Sequence, residues 1–485
     1  MARREWVGDA VFQRLRLRSL QAAREATRPA SREAYAALLL ERHGLVADAT
    51  VASRSSAVPA HGALQGADGV LRVIELLAGV PLPVSAWEQQ ILSARVADYT
   101  PTMLDELLAT GAVAWVGHGR LGEDDGLVSL HVQEGMGETL PVVQAIEPSP
   151  LQTALLTVLA DGGAFFARQL AAAVQARLAA AGVGDVVVDA ETLHTALWEL
   201  AWAGVVTTDL WTPLRHLSAT RPARPRATTS ARQSRYARGR AMMDPLGAAG
   251  GLHPMATTLA TPTLAGRWSL LQRPPVSDTV RAVALANGLL ERHGIVTRGA
   301  AIAEGIAGGF PALVQVYRGM EDAGRVLRGR FVDGMGGAQF AERGMVDALR
   351  EVAEAQQPGQ VGLSLGLSAV DPANPFGPVL PWPAHHATQR PVRRPGALVV
   401  IGGGRLRMYL AQGGRQLLTW FAPGAPGEDA ALTAAAQALV IALRRGRRMF
   451  TLELIDDAPI QRDPVTEALR AAGFSSAPRG LDWQS

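Results

Sequence analysis

Gly362-Leu363-Ser364-Leu365-Gly366 has the Gly-x-Ser-x-Gly spacing of a nucleophile elbow. That chemistry needs a strand before the serine and a helix directly after it. A proline-rich stretch follows instead, so Ser364 reads as an ordinary strand residue. His385 and His386 are adjacent, would point apart in a strand, and make a poor metal pair. His118 and His131 lie in or near a hairpin. With no cysteine and no His-x-x-x-His helix, neither a metal nor another cofactor is expected. Gly402-Gly403-Gly404 reads as a hairpin turn, because no helix follows to make it a dinucleotide loop. The 485 residues include no lysine, so all 47 basic residues are arginine. A P-loop lysine and a lysine Schiff base are therefore both absent, and with them an ATPase motor of the usual kind.

The residues that could meet nucleic acid fall in three places. Arg325, Arg328 and Arg330 alternate along one strand face, after a helix that offers Gln315 and Arg318 but also Glu321 and Asp322. DNA contact through this wing and a purely structural role both fit that pattern. Phe376 and Trp382 stand within Asp371–Pro383, where five of thirteen residues are proline. Such a loop is rigid, and it could stack a base or plug one end of a barrel. Residues 213–274 hold ten arginines, Arg232, Arg235 and Arg238 among them, and one acid, Asp244, for a local charge of +9. The rest of the chain nets −6, so its body is not a basic surface on average. The basic segment is either a solvated linker or a strap for phosphates.

The elements that must position these residues repeat. Thr-Gly-Ala-Val at 110–113, Ala-Gly-Val-Val at 203–206 and Ala-Gly-Arg-Val at 323–326 each close a helix and open a strand. In the last of these, Phe310, Leu313, Val314, Tyr317 and Met320 form one apolar helical stripe, and Gly324 stands where the helix must stop. Helix, helix, helix, strand, hairpin is the order of a winged helix. Trp198 and Trp202, four apart beside Leu193 and Leu197, suit a bundle interior better than a stacking platform. The expected fold class is α+β, with tandem winged-helix modules followed by a small β-barrel or curved sheet. Its parts are N-terminal helices and a first winged helix (1–146), a second (147–212), the basic linker (213–265), a third (266–345), and a C-terminal α+β domain (346–485). No apolar run is long enough to span a membrane, and Met-Ala-Arg-Arg-Glu-Trp has no signal-peptide core, so a cytoplasmic protein is expected.

Several words in order resemble one family. Gly-Arg-Trp-Ser-Leu-Leu (266–271), Leu-Leu-Glu-Arg-His-Gly-Ile-Val-Thr-Arg (289–298), Gly-Gly-Phe (308–310) and Gly-Ala-Gln-Phe-Ala (337–341) are similar to the C-terminal part of the Lhr family, the large helicase-related DNA helicases of bacteria. Asp-Pro-Ala-Asn-Pro-Phe-Gly (371–377), Leu-Pro-Trp-Pro (380–383) and Gly-Gly-Arg-Gln-Leu-Leu-Thr-Trp (413–420) fit it too, as do Gly-Val-Pro-Leu-Pro (79–83), Leu-Asp-Glu-Leu (104–107) and Gly-His-Gly (117–119). The resemblance implies a non-motor region that ends in a β-barrel. Its implied work is DNA repair, holding single-stranded or tailed DNA behind the motor of the same parent protein, or joining subunits in a homo-oligomer. Winged-helix arrays capped by a barrel also resemble a bacterial class of alkyl-purine DNA glycosylases, and some Lhr C-terminal parts are associated with uracil removal. That chemistry needs a carboxylate or amide to position water against an oxocarbenium-like sugar. Asp482, in Arg-Gly-Leu-Asp-Trp, is the first candidate and Asp371 the second. Without lysine such an enzyme would be monofunctional, and a pure oligomerisation scaffold is the third class. The chain departs from the family pattern at Ile455-Asp456-Asp457-Ala458, where a more glycine-like turn is expected.

Overall fold

The computed structural model describes residues 8–25, 29–46, 64–141, 146–182, 187–218, 261–356, 362–446 and 449–484. They form two compact units. One comprises residues 1–115, 128–142 and 272–485, the other residues 116–127 and 143–271.

In the larger unit, Ser31 caps helix Arg32–Arg42 by accepting a hydrogen bond from the Ala34 backbone at 3.0 Å. Helix Gly66–Leu76 and helix Pro101–Ala109, which opens on proline after Thr100, flank a π-helical segment, Trp87–Leu92. Strands Val113–Arg120 and Gly126–Val132 form the expected wing, whose residues 116–127 belong to the smaller unit, and Leu82–Pro83 joins its edge. The buried Trp87 indole donates to the Val128 carbonyl at 2.8 Å and ties the helices to that wing.

The smaller unit is a second winged helix, and it corrects the boundary at 265/266. Helices Pro150–Ala160, Ala167–Ala180 and Ala190–Trp202 pack on a sheet in which Arg267–Leu270 is the central strand, between Phe165–Phe166 and Val206–Thr208. The strand belongs here because Trp268 is fully buried edge-on against Trp198, ring centroids 5.5 Å apart. Helix Thr212–Ser218 and the turn Pro262–Leu264 occupy the ends of the segment expected to be linker. Arg232, Arg235 and Arg238 lie outside the described residues. Trp198 is core, and half-buried Trp202 lies over Gly126, where any Cβ would overlap the indole.

The third winged helix, back in the larger unit, consists of helices Asp278–His293, Arg298–Ala303 and Gly309–Asp322, with strands Ile295–Val296, Leu327–Gly329 and Gln339–Ala341. Leu313, Tyr317 and Met320 are buried as the stripe requires, and Tyr317 stacks on Phe340 at 5.0 Å. Gly324 ends the helix region at φ 74°.

No closed barrel is found in the C-terminal region among the described residues. Six strands form a sheet in the order Ser364–Ser368, Leu398–Gly402, Arg405–Leu410, Gln416–Thr419, Leu454–Ile455, Ala458–Pro459, with no closure between its edges among the described residues. Helix Glu428–Arg445 covers one face, and its buried leucines and alanines fill the core that a barrel would have enclosed. Leu454–Ile455 joins in parallel, after the helix has crossed over. A separate three-stranded sheet holds Gly480–Gln484 between Met449–Leu452 and Ser475–Ala477. Ser364 is an ordinary strand residue, and Gly403 and Gly404 make the hairpin turn at φ 56° and 76°. Among the described residues, no helix is long and apolar enough to cross a membrane, and no cluster of metal-ligating side chains occurs.

Candidate nucleic-acid interface

On the third winged helix, burying Leu313, Tyr317 and Met320 turns Gln315 and Arg318 outward into solvent. Arg325 and Arg330 are also exposed, whereas Arg328 is half-buried with its Nε 3.4 Å from Glu321. The wing strand is only Leu327–Gly329, so the three arginines do not share one strand face. Arg325 stands before the strand, with Nη2 3.5 Å from the Asn287 side-chain oxygen, and Arg330 stands after it.

The two candidate carboxylates are not brought together. Asp371 is fully buried, and the Arg95 guanidinium grips both its oxygens at 2.7 and 2.9 Å. Burial pushes this carboxyl up, but the Arg95 charge and hydrogen bonds outweigh burial and hold it below the usual carboxylate range. With no exposed atom and both oxygens engaged, Asp371 cannot orient water against a substrate, which removes it as a catalytic candidate. Asp482 is half-buried on the centre strand of the small sheet. The Thr451 hydroxyl donates to its Oδ1 at 2.6 Å, and Oδ2 carries no hydrogen bond among the described residues.

The sequence candidates Phe376 and Trp382 belong to a site whose other residues were not found from the sequence. A cavity of about 1350 Å³ opens beside the six-stranded sheet, with Phe376, Trp382, His385, His386 and Trp420 in its walls. Prolines 381 and 383 keep the 383–390 stretch out of any strand, so the His385 and His386 rings stack at 4.6 Å instead of pointing apart. Both nitrogens of His385 are occupied. Nε2 donates towards the Thr419 carbonyl at 3.0 Å and Asp456 at 3.2 Å, and Nδ1 accepts from the Ala387 backbone at 3.0 Å. Asp456 and Asp457 take left-handed φ values of 52° and 66°, where a glycine-like turn was expected. Their carboxylates compensate. Asp456 accepts from the Thr419 backbone at 2.8 Å and its hydroxyl at 2.6 Å, and Asp457 accepts from Thr388 and Gln416. The Asp-Asp pair was therefore the sequence signal for this site, since aspartate tolerates that conformation when its side chain is bonded locally.

Two winged-helix domain models of the large helicase-related protein match the chain, one over residues 30–133 and one over residues 275–361. The Lhr helicase/uracil glycosylase of Escherichia coli (strain K12) is 50% identical over 485 residues, covering 99% of this chain and 30% of that protein. The chain belongs to the Lhr family. It corresponds to the family's C-terminal region. A second relative, the Lhr helicase/probable uracil glycosylase of Mycolicibacterium smegmatis, is 39% identical over 492 residues, covering 98% of this chain and 30% of its own length. The chain thus spans about a third of the length of the curated Lhr proteins it matches. The solved structure of the Streptomyces sahachiroi DNA glycosylase AlkZ aligns with 88% of this chain and 100% of its own, at TM-score 0.48 and 16% identity.

Proposed function

We propose that this Lhr region is a DNA-holding, non-motor part of a DNA-repair helicase, which retains single-stranded or tailed DNA for the motor of its parent protein. The observation that carries the reading is the outer surface of the third winged helix. Gln315 and Arg318 on its third helix, and Arg325 and Arg330 on either side of the wing strand, all face solvent. Amides and guanidiniums on a recognition helix and wing are the groups that fix a protein to phosphates and base edges. Each phosphate neutralised releases counterions, so the contribution is measurable as salt dependence. Replacing Arg318, Arg325 and Arg330 together by serine is expected to weaken single-strand binding. The slope of log K against log salt should fall by about 0.7 for each phosphate left without its guanidinium. Fluorescence anisotropy across a salt series checks this, and a variant with the parent slope would remove the wing from the interface.

Removal of uracil is the second reading. One observation favours it: the Escherichia coli relative, which aligns with nearly all of this chain, is named a uracil glycosylase as well as a helicase. Asp482 is the carboxylate available for that chemistry. Thr451 fixes one oxygen and leaves the other to take a proton from water. Without lysine the reaction would be hydrolysis of the N-glycosidic bond with no lyase step. Incubation with a uracil-containing single strand, then alkaline cleavage, is expected to reveal abasic sites, and Asp482→Asn to lower their rate of formation about 100-fold. Retention of the strand, read in the same gel, should be unchanged. Equal rates for the variant would exclude Asp482, and no abasic sites with the parent chain would exclude the activity.

A further inference from the structure

The cavity beside the six-stranded sheet lies apart from both the wing arginines and Asp482, neither of which lines it. We infer that it is a stacking pocket for an unstacked nucleobase of single-stranded DNA. The inference rests on the DNA-binding reading above and adds a second, non-electrostatic contact to it.

The walls are built in advance. Phe376 and Trp382 stack at 6.1 Å, Trp382 meets Tyr409 edge-on at 6.0 Å, and Trp420 meets His385 edge-on at 4.8 Å. The Trp420 indole N–H is anchored on the Ala384 carbonyl at 3.1 Å, and His385 is locked at both nitrogens. Exposed His386 lies flat on that locked ring, so one aromatic face is presented outward on a rigid support. Flat, pre-positioned rings are what sequence-tolerant single-strand binding uses, because every base has a π-face.

Charge decides which part of a nucleotide enters. The lining holds five carboxylates against three guanidiniums, which repels phosphate from the interior. Arg407 is not free to offset this, since Glu428 takes it by both oxygens at 2.9 and 3.0 Å. Arg32 and Arg405 are the exposed guanidiniums of the lining; Arg32 donates to the Asp333 and Gly334 carbonyls at 3.2 and 3.3 Å and Arg405 lies 3.8 Å from Glu33, so only their remaining N–H groups can meet a backbone outside. About 1350 Å³ also exceeds the roughly 300–1,000 Å³ of ordinary small-molecule sites, so a base with its sugar fits while the strand continues outside. Of the lining carboxylates, Asp456 is engaged by Thr419 and Glu428 by Arg407 and the Ala422 backbone.

His386 is the residue to change, because its exposed ring stacks on a neighbour that is held by others. His386→Ala is expected to weaken binding of a single strand about tenfold, with the salt slope unchanged. His386→Trp should restore the parent affinity or exceed it, which a charge or folding role would not allow. Photocrosslinking of a strand carrying 5-iodouracil should label the peptides around Trp382–His386 and Trp420. Parent affinity in His386→Ala, or a His386→Trp variant no tighter than alanine, overturns the pocket. If single strands do not bind the parent chain at all, the DNA-binding reading itself fails. If they bind and lose salt slope in the wing variant but ignore His386, only the pocket fails.

Discussion

Asp371→Ala is expected to cost the protein about 3–5 kcal/mol, the penalty for leaving a buried charge without its partner. Arg95 and Asp371 are both fully buried and lie 276 positions apart in the chain. Arg95 also donates to the Ile91 carbonyl at 3.1 Å, and Asp371 accepts from the Ala373 backbone at 2.8 Å. Arg393 closes the other side of the loop by donating to the Asp371 and Asn374 carbonyls at 3.0 and 2.6 Å. The pair therefore clamps the short helix Ser93–Arg95, which follows the π-helical segment, to the proline-rich loop of the C-terminal sheet. Removing the carboxylate strands a guanidinium that has no exposed surface through which to reach water. Urea unfolding of the single variant measures the loss. The double variant Arg95→Met/Asp371→Leu should recover most of it, because an apolar pair of similar volume avoids the desolvation cost. A single variant within about 1 kcal/mol of the parent would show that water reaches this site.

The modules were legible because each is specified by local rules. The apolar stripe from Leu313 to Met320, the stop at Gly324 and the turn at Gly403-Gly404 need only neighbours in the chain, and the structure has them. What was not legible depends on distant partners. Arg267–Leu270 reads as a strand in either module, and burial of Trp268 against Trp198 assigns it to the second. Short strands with glycine turns are compatible with a barrel or an open sheet, and the covering helix with its parallel return made it open. Asp371 looked like a loop carboxylate until Arg95 was beside it. Phe376 and Trp382 of the proline loop were legible as candidates to stack a base, but the rest of the cavity was hidden because its other walls come from strands whose registers no local pattern fixes, although Asp456-Asp457 marked its edge.

Acid is expected to unfold the protein early, with His43 as a principal cause. His43 is buried between Arg95 and the end of helix Asp278–His293. Its Nε2 must carry the proton, because it donates to the Arg292 carbonyl at 2.9 Å. Nδ1 is then an unprotonated nitrogen 3.4 Å from the Arg95 guanidinium. Adding a proton there would set one buried cation against another, so burial first and Arg95 second push this histidine down to about 3. The unfolded chain takes up that proton near pH 6.5. Between those values the unfolded state holds more protons than the native one, so stability falls as pH falls, by about 1.4 kcal/mol per unit. From neutral pH down to about pH 4 the loss from His43 is about 3 kcal/mol. Glu304 acts in the same direction lower down. Burial raises its carboxyl, but Arg292 at 2.5 Å and His293 at 2.8 Å bring it to about 2, so its contribution is present above the ordinary carboxylate range and lost below it. His43→Gln keeps a donor for the Arg292 carbonyl and cannot titrate. Urea unfolding of parent and variant at neutral pH and near pH 4 isolates the effect: the drop between the two should shrink by about 3 kcal/mol in the variant. Equal drops in both proteins would mean that His43 is protonated in the folded state, against a guanidinium it could not then face.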